Sequence, residues 1–423
     1  LSGYSGTYNV QGGTTQLTGT ASSIGGNWSA ATGTTLTINS SAAQTLNGSV
    51  TGAGTFNINS SSALSIGGAV SVTGNVNVNG QATFGSGSSL TMGTGSLNIN
   101  GTGIATFGSG STVNVDNITL TGTTSNQLNI QAGATVTTKY FNIGNSGNNS
   151  GRVVQTGGNV TIAAGGSGMR IGHWNNGANA GSLYNLSGGT LDASAITSNI
   201  GWDGQGDMIV GGGAGTALFK AGGIQLDGSS DGGGGGAGNM TLTLSTNGTV
   251  EVGTSGIGAA AAGDRIILNG GAMKAVGAAT WGSVFNANTS TTSELNVNGF
   301  AVTLSNNVTG SGTLNLSSAT GSVILNTSGT QAIDAALNGS TAINKTGTGT
   351  TILSGAGSYN GAITVTDGRV NLAGSVSSNI SVLSSKSFGG EGTTTGSLSL
   401  AGSNSLFVNP NTPGELTVGN LPL

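Results

Sequence analysis

Ala82–Ser88 reads ATFGSGS, and Ala105–Ser111 reads the same heptapeptide again. An exact echo at close range points to a repeat architecture, and overlooking such a repeat misassigns the whole fold. Likewise LTINSS at Leu36–Ser41 returns as FNINSS at Phe56–Ser61, and NVNVNG at Asn75–Gly80 returns as SLNING at Ser96–Gly101. Short strands of the same kind recur at Leu295–Asn298, Leu314–Leu316, Val323–Leu325 and Ile363–Val365. The period of these echoes is about 20–23 residues, the range of a solenoid winding.

Within a repeat the apolar residues alternate with polar ones. In Val76-Asn77-Val78 and Leu97-Asn98-Ile99 the aliphatic side chains face one way and the amides the other, as a half-buried strand requires. Gly and Ser-Gly steps between strands permit the positive-φ turns that side chains resist. One such coil cannot bury its apolar face alone, whereas stacked coils bury a continuous core. Asn recurring at matching places forms hydrogen-bonded ladders along the stack. The expected fold is all-β: a right-handed parallel β-helix (β-solenoid) of about 20 coils of about 20–23 residues, on the order of 100 Å long at about 4.8 Å per coil.

Proline and glycine mark the expected divisions. All three prolines, Pro410, Pro413 and Pro422, fall at the C-terminal end. Proline lacks the N–H that every interior rung of a ladder donates, so its exclusion from the preceding chain suits an unbroken stack. The glycine run Gly232–Gly236 reads as a flexible excursion or a seam. The chain is therefore expected to run as solenoid over 1–231, a Gly-rich excursion or seam over 232–238, solenoid again over 239–409, and a Pro-containing end over 410–423. No helical periodicity is sustained over three turns, and Ala259–Ala262 is too short to hold a helix.

Composition narrows the function classes. Of 423 residues 83 are Gly, 5% are charged and 4% aromatic, while 35% are hydrophobic, which favours ordered β structure over disorder. The first charged side chain is Asp116, and the net charge is −4. There is no basic footprint for nucleic acid, and little mutual repulsion between like molecules. Without cysteine, disulfides and thiolate metal sites drop out. No apolar run approaches a membrane span, and no signal segment opens the chain, so an exported form would begin at Leu1 after cleavage.

Candidate site residues are few. Asp203 with Asp207, and Asp227 with Asp231, sit at matching short spacings in Gly-rich sequence and are candidates for a calcium or sugar site. The alternative is that Asp beside Gly caps a turn. Trp174 and Trp202 are candidate sugar-stacking platforms, set against the plainer role of Trp28, Trp174, Trp202 and Trp281 as core or corner fillers. His173, the only histidine, has no nucleophile singled out beside it. Gly211–Gly213 lacks the Lys-Ser/Thr of a phosphate loop. No catalytic residue, metal or cofactor is expected.

Asn344–Gly374 reads NKTGTGTTILSGAGSYNGAITVTDGRVNLAG. It resembles the autotransporter-associated β-strand repeat at Lys345, Thr346, Gly347, Gly349, Leu353, Gly355, Tyr359, Gly361, Gly368 and Leu372. Gly389–Leu400 and Asn409–Gly419 look like the closing portion of such passengers, and Arg152–Ala163 and Leu183–Ser194 resemble related Gly-rich surface repeats. These blocks, mainly 142–210 and 344–419, cover about a third of the chain. The resemblance implies a right-handed parallel β-helix at the surface of a Gram-negative-type bacterium, or outside it. Such passengers continue into an outer-membrane barrel or a sorting tail; for a chain ending at Leu423, release or assembly into something larger is the expectation. The expected function is an extracellular structural protein whose partner is itself, associating head to tail or by strand complementation into a fibre, sheath or layer. The alternatives are an adhesin or passenger rod that binds polysaccharide or a host surface and, behind it, a β-helical polysaccharide lyase or hydrolase.

Overall fold

The computed structural model describes residues 5–145, 149–173, 181–202, 204–228, 239–259, 261–407 and 415–421. The expected seam at 232–238 and all three prolines lie outside these residues. The described strands form a parallel β-solenoid of about 18 turns, with no helix. They fall into two compact units, one of Leu1–Ala221 with Asp227–Met240, the other of Gly222–Leu226 with Thr241–Leu423.

Up to Ile171 each coil of the first unit carries three strands, hence three faces, and in the next coil the single strand Gly189–Ile200 runs over two of them. One coil consists of Val76–Val78, Gln81–Phe84 and Ser89–Met92, and the next of Ser96–Gly101, Ile104–Phe107 and Thr112–Asn114. The two copies of ATFGSGS lie one upon the other, with Ala82 opposite Ala105 and Phe84 opposite Phe107. LTINSS and FNINSS stack likewise through Leu36–Phe56 and Ile38–Ile58, and NVNVNG and SLNING through Val76–Leu97 and Val78–Ile99. The repeat offset is thus the length of one winding. In both copies the glycine of the Ser-Gly corner has the positive φ the turn demands, 77° at Gly87 and 75° at Gly110.

The core is a set of inward columns. Phe56, Val76, Leu97, Ile118 and Phe141 stack on one face, all fully buried. Phe84 and Phe107 stack on another, edge to face with centroids 5.5 Å apart. So short a strand has little burial of its own, and each coil draws its stability from the coils above and below.

Outside, the polar residues form ladders of their own. Asn77 Nδ2 donates to Asn57 Oδ1 at 2.8 Å, and Asn98 Nδ2 donates to Asn77 Oδ1 at 2.8 Å. A parallel row on the same face joins Asn59, Asn79 and Asn100. Each amide donates to one neighbour and accepts from the other, so a row of identical residues satisfies itself.

The turn count is close to the 20 expected, and the coils between Arg152 and Asn199 take up part of the difference. Arg152 lies opposite Leu183, and Arg170 opposite Asn199. These windings hold about 30 residues each, against about 20–23 in the coils that carry the sequence repeats. In the second unit the coils shorten again: Ile380 lies opposite Leu398, a winding tighter than that from Ala82 to Ala105.

Candidate functional site

A cluster of polar and aromatic side chains gathers where the described coils of the first unit are widest. Three strands, Tyr140–Ile143, Gly168–Ile171 and Gly189–Ile200, stack in parallel and place Asn142, Arg170 and Asn199 in one column. Each strand ends in Ile-Gly and turns a corner: Ile143-Gly144-Asn145, Ile171-Gly172-His173 and Ile200-Gly201-Trp202. The three glycines share φ values of 77°, 76° and 82°, which sets Asn145, His173 and Trp202 at equivalent corner positions.

The side chains engage one another. Arg170 lays its guanidinium over the Trp202 ring, 4.3 Å from the centroid. Its Nη1 is 3.0 Å from His173 Nε2, and His173 Nδ1 is 2.9 Å from Asn145 Oδ1. A guanidinium only donates, so Nε2 accepts and the ring proton sits on Nδ1, which donates to Asn145. Burial first, and the Arg170 charge second, hold the His173 pKa down to about 4. His173 is therefore neutral at pH 7, with its one lone pair taken by Arg170, an arrangement that orients the ring and leaves no open lone pair to accept a proton.

Of the residues singled out from sequence, Asp203, Asp231 and Trp174 lie outside the described residues. Asp207 is half-buried on the strand Gly206–Val210, opposite Leu183 of the preceding coil. Asp227 follows the strand Ala217–Leu226 with φ 52°, and its N–H donates to the Ile200 carbonyl. That is the turn geometry short polar side chains tolerate. Among the described residues no three His, Cys, Asp or Glu side chains converge to hold a metal ion. Trp202 has one ring face against Arg170, while Trp28, stacked on Tyr8 at 4.3 Å, and Trp281 are buried in the core.

The short repeat period does not bring Asn145, His173 and Trp202 together, although the sequence carries a signal for their grouping. NIGN at Asn142–Asn145, RIGH at Arg170–His173 and NIGW at Asn199–Trp202 are one motif, repeated once per winding through the widest coils.

A second polar arrangement lies in the other unit. Lys345 has an inward register position between Leu325 and Val365 and is fully buried. Its Nζ donates to the carbonyls of Thr346 and Gly347, both at 2.6 Å, and of Asp367 at 3.4 Å. Burial lowers its pKa. Tyr359 is likewise buried, with its hydroxyl donating to the Thr341 carbonyl. Both residues belong to the Lys-Thr-Gly and Tyr-x-Gly steps of Asn344–Gly374, and here they close corners.

The fold defines the class of protein as a parallel β-solenoid. No family model matches the chain, and no curated protein matches it. Among the described residues no helix is long and apolar enough to cross a membrane.

Proposed function

We propose that this chain is an extracellular structural protein of a Gram-negative-type bacterium, a β-solenoid subunit that associates end to end with copies of itself into a fibre, sheath or layer. The observation that carries this reading is the opening of a core column to solvent. On one face of the second unit Val370, Phe388 and Leu406 stand in register, pointing inward. Val370 and Phe388 are 1% and 0% exposed, but Leu406 is 48% exposed. The strands Ser405–Phe407 and Thr417–Asn420 each pair on one side only among the described strands. Paired on one side only among the described strands, these edges beside an open apolar column can take another coil, which in this reading a second copy supplies by strand addition. A contact of one end against the other is heterologous, and where its rotation does not close into a ring it propagates as a filament. The resemblance over Asn344–Gly374 supports placing the protein outside the cell.

Electron microscopy and sedimentation of the purified chain test the reading. Fibres or sheets that persist on dilution are expected, and Leu406→Asp, a change at a half-exposed position, disperses them while leaving the circular dichroism unchanged. Discrete particles at every concentration, the expectation for an adhesin rod, overturn it. So does a Leu406→Asp variant that assembles like the parent.

A further inference from the structure

One face of the first unit differs from the other two in what it offers to solvent. It is built from a single strand per coil, and its register passes without a shift from Ser89–Met92 through Thr112–Asn114 to Thr135–Thr138 and on to Asn159–Ile162. Two ranks of side chains point outward from it. Ser89, Thr112 and Thr135 form one rank, and Thr91, Asn114 and Thr137 the other. Four of these six are exposed and two half-buried. They stand without side-chain hydrogen bonds to the described residues, unlike the amides of the neighbouring face, which are consumed in their own ladders. The same two ranks begin at Thr7 and Asn9 and run to Asn159 and Thr161 as Thr, Ser, Asn and one Ala, with neither a charge nor an aromatic ring, although near their start Ser49 donates to Asn27 and Thr51 to the Trp28 carbonyl. The neutral stretch ends at Asp192, which lies in register with Thr161 on the next rung, while Asp116 and Lys139, beyond the strand ends, pair with each other at 2.8 Å.

From this geometry we infer that the face is a binding surface for ice. Spacing along each rank is the inter-strand distance of about 4.8 Å, and the two ranks lie about 6.6 Å apart along the strand, which gives a near-rectangular grid of hydroxyl and amide groups. From the first strand of the face to the last, that grid runs over about 34 Å. The oxygen repeats of hexagonal ice are close to both spacings. Threonine holds a water molecule through its hydroxyl and orders those around it with its methyl group. From Thr7 to Thr161 the face carries no charge, which matches a lattice that has no net charge and no place for counterions. A crystalline polysaccharide, the other regular neutral surface, is recognised by aromatic stacking, and this face presents no ring. The inference stands apart from assembly, since the face runs along the stack and does not involve the column that opens at Leu406.

Slow freezing of a dilute solution of the full chain onto a cold surface, beside a reference protein of similar size, tests it. The chain is expected to be enriched in the ice fraction and to suppress recrystallisation. Thr112→Tyr with Thr135→Tyr should abolish both effects. Thr45→Tyr with Ser65→Tyr, outward on another face, should abolish neither, and all forms should share one circular dichroism spectrum. Should the tyrosine pair disturb folding, Thr112→Lys with Thr135→Lys makes the same test with side chains that stay solvated. Exclusion of the parent chain from ice overturns the inference. So does retention of either effect in a folded first-face variant, or adsorption to microcrystalline cellulose without partition into ice.

Discussion

An isolated ammonium inside a protein is costly unless it is fully hydrogen-bonded, and Lys345 meets that condition with backbone alone. Its stem occupies one place in an aliphatic column, and its Nζ ends among three carbonyls at a corner. Lys345→Ala removes the packing of the stem and leaves those carbonyls without their donor, so unfolding stability should fall by about 2–4 kcal/mol. Lys345→Met should recover only the part owed to volume, and urea titrations of the three proteins separate the two contributions. His173 makes a different prediction. Folding lowers its pKa from 6.5 to about 4, so between those values the unfolded chain binds more protons than the folded one. Stability from this residue is therefore complete above about pH 6.5 and lost as pH falls toward 4. Melting followed from pH 7 down to 4.5 should decline less steeply in His173→Gln than in the parent; equal slopes would remove His173 as the cause.

At the scale of the strand, the ladders give the most discriminating variants. Asn77 accepts from Asn98 and donates to Asn57. Asn77→Asp keeps the acceptor but sets a carboxylate oxygen against the Asn57 carbonyl oxygen, and should cost about 1–2 kcal/mol at pH 7, less once the carboxyl is protonated. The same change at Asn129 of another face, which donates to Thr106 Oγ1 but stands in no run of amides, interrupts no row. Thermal midpoints at pH 7 and pH 4 compare the two. Strand positions of this kind were legible from sequence because Val-Asn-Val and Leu-Asn-Ile carry face and register in the residues themselves. The corner cluster was not. Strands respond only to which residue stacks on which, so residues added at a corner lengthen a winding without disturbing the ladder. A search tuned to the period of ATFGSGS passes over NIGN, RIGH and NIGW, which recur only at the longer winding. Nor does sequence show that the Arg170 guanidinium rests on Trp202, since that pairing depends on which corners coincide after the wider turns.

Over the whole molecule the same reasoning settles which forces count. Parallel stacking and a turn count near 20 could be read from one heptapeptide and its echoes, because an offset between stacked strands is a winding length wherever it appears. What holds the windings is almost free of charge. Three ion pairs occur among the described residues, Lys139–Asp116, Lys274–Glu251 and Lys386–Asp367, and each has at least one partner substantially open to solvent. Exposed pairs contribute little and are screened by salt. The buried columns and the ladders are neutral, apart from Lys345, and neutral groups have no Coulomb attraction for salt to screen. Raising NaCl from about 20 mM to about 0.5 M shortens the screening length several-fold, yet it should move the melting midpoint by no more than a few degrees. A large fall over that range would mean that ion pairs, rather than stacked aliphatic rows and backbone ladders, hold successive coils together.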